Sequence, residues 1–221
     1  MINVYFISGL GANCKVFDNL VLPEKYKKNY IEWLMPRSDE TLDEYTKDMA
    51  ESIDTGQPFI LIGYSFGGII VQEMNKFLHP ITTIVIASIK SEQEMPPLFR
   101  FGRRINFAEK FPFWSLAENK NVRERLATLL YGVKDTVESE YISYTDPIYL
   151  KWAVRQILNW NPGFKCKNIY HIHGTRDNVF PHKYIKNDIL IKGGDHLMVI
   201  KRSKKISEII SRLLIYDEPN N

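Results

Sequence analysis

The sequence predicts an α/β protein built on a mostly parallel sheet, and three observations carry that prediction. Over residues 2–90, short runs rich in Ile, Val and Phe alternate with longer amphipathic stretches in the order β-α-β-α-β-α-β. The connections are long enough for right-handed crossovers. The run Pro58 to Ile62 suits a buried parallel strand and breaks abruptly at Gly63, before Ile69, Ile70, Met74 and Phe77 take up helical spacing. The strand pattern is absent from Ser91 to about Lys165, then returns at Asn168–Gly174 and Asp188–Lys192. A chain of 221 residues supports one well-buried core and would be cramped as two domains.

Composition narrows the function classes. The chain is 44% hydrophobic and 25% charged, as ordinary soluble proteins are, and its net charge of +3 is too small to argue for nucleic acid. The basic clusters Arg100 to Arg104 and Lys201 to Lys205 read as solvated faces of a loop and a helix. No apolar run approaches the roughly 18 residues a membrane span needs. Met1 to Ile7 runs straight into a core strand with no basic leader, so a cytoplasmic location is expected. Cys14 and Cys166 stand in unrelated contexts, which fits reduced thiols and makes neither a disulfide framework nor a zinc site.

The elements follow in order. Residues 2–8 form the first strand, ending in the small-residue loop Ser8 to Ala12, and a helix is expected around Cys14 to Leu20. Tyr30 to Met35 reads as a second strand closed by Pro36. Residues 41–53 form an amphipathic helix with Leu42, Tyr45, Met49 and Ile53 on one face, capped by Thr41 or Asp39. Ile81 to Ala87 is a β-branched strand. Pro96 and Pro97 open an aromatic-rich stretch with helices expected near 115–131, 135–143 and 147–160. A last helix, about Leu197 to Ile215, should turn Val199, Ile206, Ile209, Ile210 and Leu213 inward.

The densest signal is Gly63-Tyr64-Ser65-Phe66-Gly67 between a strand and a helix. Such a turn raises a serine hydroxyl above the sheet, and a Cβ at either glycine would collide with neighbouring backbone. The helix that follows aims its N-terminal amides at the same point. At these residues the chain resembles the α/β-hydrolase family, whose nucleophile elbow has this form. The resemblance implies a three-layer α/β/α single domain on a six-stranded, mostly parallel sheet. The core would be residues 1–90 and 166–216, with a helical cap inserted at about 91–165.

The family order of serine, acid and histidine implies Ser65 as nucleophile, Asp177 on the loop after the penultimate strand and His196 after the last strand. A serine attacks only if a base takes its proton, and an imidazole serves when a carboxylate orients its other nitrogen. Glu92 or Glu94, after the preceding strand, is the substitute acid. The backbone N–H groups of Leu10 and Phe66 would form the oxyanion hole, although Ser8-Gly9 stands where many members have a His-Gly pair. Tyr64 and Gly9, together with Phe113 and Trp114 in the insertion, are assigned to substrate contact. The aromatic density there reads as a substrate-facing wall, as the cap's own core, or as both, and an amphipathic membrane-binding face over Phe107 to Trp114 is a further alternative. His171 and His173 share one strand face near Asp177 but lack a further ligand cluster at metal spacing. No cofactor fingerprint is present.

These residues imply an esterase or thioesterase acting on a small, apolar substrate, as a monomer or homodimer. C–C bond hydrolase, lyase or acyltransferase chemistry with the same triad, a metal-dependent hydrolase, and a non-catalytic binding module are the alternatives.

Overall fold

Strands β1 (Ile2–Ile7), β3 (Phe59–Tyr64) and β4 (Thr82–Ile86) carry apolar side chains on both faces, so each face needs a cover. The computed structural model describes residues 1–115, 139–186 and 188–216. Together with β2 (Tyr26–Ile31), β5 (Ile169–Gly174) and β6 (Ile189–Ile191), these strands form one six-stranded sheet. Its order is β2-β1-β3-β4-β5-β6, and every neighbouring pair is parallel.

The two-residue period of the strands divides the core. Tyr5, Ile7, Phe59, Leu61 and Val85 point to one face, where α1 (Leu42–Ala50), α2 (Phe66–Met74) and α5 (Pro147–Asn159) pack. Val4, Phe6, Ile60, Ile62, Ile84 and Ile172 point to the other, beneath α6 (Met198–Lys201) and α7 (Ser203–Tyr216). Helix α1 begins in a capping box: Thr41 accepts from the Glu44 N–H, and the Glu44 carboxylate accepts from the Thr41 N–H. Between β4 and β5 lie α3 (Pro97–Arg104), α4 (Phe107–Lys110) and α5.

Several boundaries differ from the sequence expectation. β2 is Tyr26–Ile31, not Tyr30 to Met35. Its register is set by β1, with Ile2 opposite Tyr26 and Ile7 opposite Ile31. As an edge strand it tolerates Lys27, Lys28 and Asn29, while the apolar Leu34 and Met35 fall in an exposed loop. The expected helix at Cys14 to Leu20 is a single 3-10 turn, Cys14–Phe17. The C-terminal helix breaks at Arg202, and Leu214, rather than Leu213, is the fully buried residue of its last turn. The helix expected at 147–160 is α5; that expected at 115–131, from residue 116 on, and the first four residues of that expected at 135–143 lie outside the described residues, and the rest of the latter holds no more helix than a 3-10 turn, Ser139–Tyr141.

Candidate active site

β3 ends at Tyr64 and α2 begins at Phe66, so Ser65 alone makes the turn, with φ 53° and ψ −117°. A non-glycine residue holds such a backbone only when its surroundings impose it. Here three hydrogen bonds do so. The Ser65 N–H donates to Ile86 O at 2.9 Å, and Ser65 O accepts from Gly68 N at 2.9 Å and from Ser88 Oγ at 2.8 Å. The turn also needs bare backbone around it. A Cβ on Gly63 would stand 2.2 Å from Gly67 O, and one on Gly67 would stand 2.1 Å from Ile7 O.

The loops after β5 and β6 bring two further groups to this point. His196 Nε2 lies 3.0 Å from Ser65 Oγ, and His196 Nδ1 lies 2.9 Å from Asp177 Oδ2. The other carboxylate oxygen, Asp177 Oδ1, accepts from the N–H groups of Val179 at 2.8 Å and Phe180 at 2.9 Å. Burial alone would push the Asp177 carboxyl up. The adjacent His196, its hydrogen bond, His173 and the Phe180 amide outweigh burial and hold it below its ordinary value. Tyr64 and Phe180 flank the imidazole, with ring centroids 5.5 and 5.7 Å away. The Tyr64 hydroxyl donates to the His196 backbone carbonyl at 3.0 Å, fixing the loop from below.

Neither glutamate considered as a substitute acid bonds to the imidazole. Glu92 pairs with Arg103 at 2.6 Å. Glu94 accepts from the N–H groups of Lys90 at 2.7 Å and Lys186 at 3.0 Å, so it ties two loops together.

The loop after β1 forms the other wall. The Trp33 indole N–H is shared among Ser8 Oγ at 3.0 Å, Gly9 O at 3.1 Å and Ala12 O at 3.0 Å. The same indole stacks on Phe66, with centroids 5.1 Å apart and planes inclined by 10°. Trp33 therefore touches both chain segments that carry the expected amide donors, Leu10 and Phe66. The Phe66 amide is the first N–H of α2, where the helix has no internal acceptor for it and its dipole is positive.

Above Ser65 lies an apolar cavity of about 200 Å³. Leu10 and Ser65 form its floor, and Phe99, Phe101, Gly102 and Phe107 of the β4–β5 insertion, Val154, Ile157 and Leu158 of α5, and Val179 and Phe180 contribute to its walls. Ser65 is nearly buried beneath them.

The structure thus brings together Ser65, Asp177, His196, Leu10 and Phe66. Gly9 is close as well: a Cβ built on it would be 3.3 Å from Ser65 Cβ. The remaining expected substrate contacts are placed differently. Tyr64 lies under His196 instead of lining the cavity, because its side chain points to the opposite sheet face from Ser65. Phe113 is buried against Phe107 and Phe111, and Trp114 is 64% exposed; neither lines the cavity. The aromatic stretch does both things expected of it, since Phe99, Phe101 and Phe107 face the cavity while Phe107, Phe111 and Phe113 pack on one another. Trp33, Phe180 and the α5 residues are further neighbours of this site that the sequence does not mark. A buried tryptophan just beyond an edge strand was the only signal available, and there it reads as strand.

Solved structures supply the comparison. ClbQ from the colibactin NRPS/PKS pathway superposes with a TM-score of 0.69 at 15% identity, with 98% of each chain covered. A lipase-esterase related protein from Clostridium acetobutylicum gives 0.65 at 17% identity, over 96% of this chain and 93% of that one. The fold is the α/β-hydrolase fold. An epoxide hydrolase from Bacillus megaterium shares it, with a TM-score of 0.64 at 12% identity over 97% of this chain and 93% of that one. No family model matches the chain, and no curated protein matches it by sequence. At such identities the α/β-hydrolase likeness is one of fold, and a fold hosts many reactions.

Proposed function

We propose that the chain is a serine hydrolase that cleaves a carboxylic ester or thioester through an acyl-Ser65 intermediate. The observation that supports it is the unbroken hydrogen-bond chain Ser65–His196–Asp177 at the floor of an apolar cavity. Ser65 Oγ attacks the substrate carbonyl carbon while His196 Nε2 takes its proton. Asp177 stays ionised, holds the tautomer with the proton on Nδ1 and stabilises the imidazolium. The negative charge that develops on the carbonyl oxygen is held by the amides of Leu10 and Phe66, each worth roughly 10²–10³ in rate. Collapse expels the alcohol or thiol, which leaves with the proton from His196. Water then attacks the acyl-enzyme with His196 again as base, releasing the acid and restoring Ser65.

The helices between β4 and β5 act as a cap in this reading. Among the described residues the cavity's lining is apolar apart from Ser65, which suits an apolar group. An apolar cavity of about 150 Å³ accommodates a benzene-sized guest, so the cavity here suits an acyl chain of about four to eight carbons. No step calls for a cofactor.

The test is labelling with a fluorophosphonate probe, wild type beside Ser65→Ala and His196→Ala, followed by turnover of p-nitrophenyl esters of increasing chain length. Labelling of the wild type alone, with a rate maximum at medium chains, is expected. Equal behaviour of wild type and Ser65→Ala removes Ser65 as nucleophile and ends the proposal.

A further inference from the structure

β5 carries two buried histidines that the reaction above does not use. His171 and His173 point to the same side of the strand, and their rings meet edge-on, with planes inclined by 74° and His173 Nδ1 3.2 Å from His171 Nε2. His173 Nε2 lies 2.7 Å from Phe180 O. A carbonyl only accepts, so Nε2 of His173 carries the proton. In the neutral ring Nδ1 is then the acceptor, which obliges His171 to donate from its own Nε2. His171 Nδ1 is left as a buried lone pair without a hydrogen-bond partner. One backbone carbonyl thereby sets the tautomer of both rings.

That carbonyl belongs to the residue on which the acid loop turns. The Phe180 N–H donates to Asp177 Oδ1, its ring packs on His196 and lines the cavity, and its C=O is held by His173. We infer that His173, neutral and protonated on Nε2, is a positioning residue for the catalytic acid. It ties the Phe180 carbonyl to β5 and so holds the Asp177–Phe180 turn that aims Oδ2 at His196. The inference rests on the hydrolase reading given above.

Neutrality matters because His173 Nε2 stands 3.8 Å from Asp177 Oδ2, so a charged ring would compete with His196 for the carboxylate. Burial pushes both histidines down. At His171 the charges of His173 and Lys90 add to it, and the Ser88 backbone acts the other way. At His173, Asp177, the Phe180 carbonyl and Asp188 pull up and His196 pushes down, and burial prevails. A proton on His173 Nδ1 would also meet the His171 N–H, forcing His171 to shift its own proton to Nδ1.

Long-range ¹H–¹⁵N NMR of the wild type at pH 7 reads the tautomers directly. Both rings should carry Nε2–H, and a proton on His173 Nδ1 overturns the inference. His173→Leu removes the donor, whereas His173→Gln keeps an N–H near the Nε2 position. The leucine variant should lose roughly tenfold to a hundredfold in kcat, the scale of a misplaced catalytic group, with KM nearly unchanged. It should also lose the low-field resonance of His196 Nδ1–H, and the glutamine variant should regain most of both. A leucine variant that keeps rate and resonance, or a glutamine variant no better than a folded leucine one, refutes the role. If leucine prevents folding, the wild-type tautomers and the glutamine variant still decide. A wild type that no fluorophosphonate labels overturns the parent reading and this inference with it. Labelling with an unperturbed His173→Leu overturns the inference alone.

Discussion

Trp33→Phe separates two roles of one side chain. The phenyl ring keeps the stacking on Phe66, and the substitution removes the indole N–H from Ser8 Oγ, Gly9 O and Ala12 O. None of those acceptors is left bare. Gly9 O still accepts from the Ala12 N–H at 3.0 Å, Ala12 O still accepts from Ser8 Oγ at 2.6 Å, and Ser8 Oγ remains a donor. The hydrogen-bond loss therefore sits at the low end, about 1 kcal/mol, and the missing indole ring adds about 1–2 kcal/mol for the void in a buried site. A sum of about 2–3 kcal/mol lowers Tm by about 5–10 °C in a chain of this size. The loop that carries Leu10 loses its shared anchor while the amide itself remains. The fall in kcat should then be about tenfold, short of the roughly 10²–10³ for deleting a donor outright. Differential scanning calorimetry and p-nitrophenyl butyrate kinetics measure the two effects. A variant with the expected drop in Tm and an unchanged kcat would show that the indole N–H holds the fold without positioning the oxyanion donors.

Three further outcomes are expected. Asp177→Asn should keep the fold and lower kcat by on the order of 10³–10⁴, because an amide that donates to Nδ1 imposes the wrong tautomer on His196; a loss under about tenfold in steady-state kinetics would place the acid elsewhere. Stability should fall with acid in two stages, read from urea midpoints across pH. His171 and His173 have folded pKa values below the ordinary 6.5, so the unfolded chain binds more protons and stability declines as pH drops below that value. Asp177, held below its ordinary 3.8, adds stability above that pH and withdraws it as pH falls toward its folded value; a flat profile between pH 7 and 4 would contradict the histidine assignment, and a flat one below pH 4 that of Asp177. Phe101→Ala opens a cavity wall at a residue 58% exposed, so stability should stay within about 0.5 kcal/mol while the preferred ester lengthens. An unchanged chain-length profile would remove Phe101 from the substrate's path.

Legibility in the sequence followed how local each constraint is. Gly63 and Gly67 could be read because a one-residue turn between a buried strand and a helix demands bare backbone at fixed offsets from Ser65. Asp177 and His196 were readable as loop positions because each directly follows a recognisable strand, and parallel strands deliver such loops to the same edge of the sheet. β2 was misplaced because an edge strand takes its register from its neighbour, so Tyr26–Ile31 pairs with β1 despite its lysines. Trp33 and Tyr64 were missed or misassigned for the opposite reason. Their partners, Gly9 and Ala12 for one and the His196 carbonyl for the other, lie up to 132 residues away.

Periodicity and glycine spacing by themselves determine that this chain is an α/β protein on a parallel sheet and that Ser65 stands at its sharpest turn. Both depend on side-chain alternation and backbone sterics within a few residues. The tertiary structure alone decides what surrounds that serine. Whether Asp177 or a glutamate meets His196, which aromatics face the cavity, and which indole clamps the loop of Leu10 all turn on segments that approach only when the strands pair and the helices cover them. Those approaches are set by packing over the whole core, and no short window of sequence encodes them.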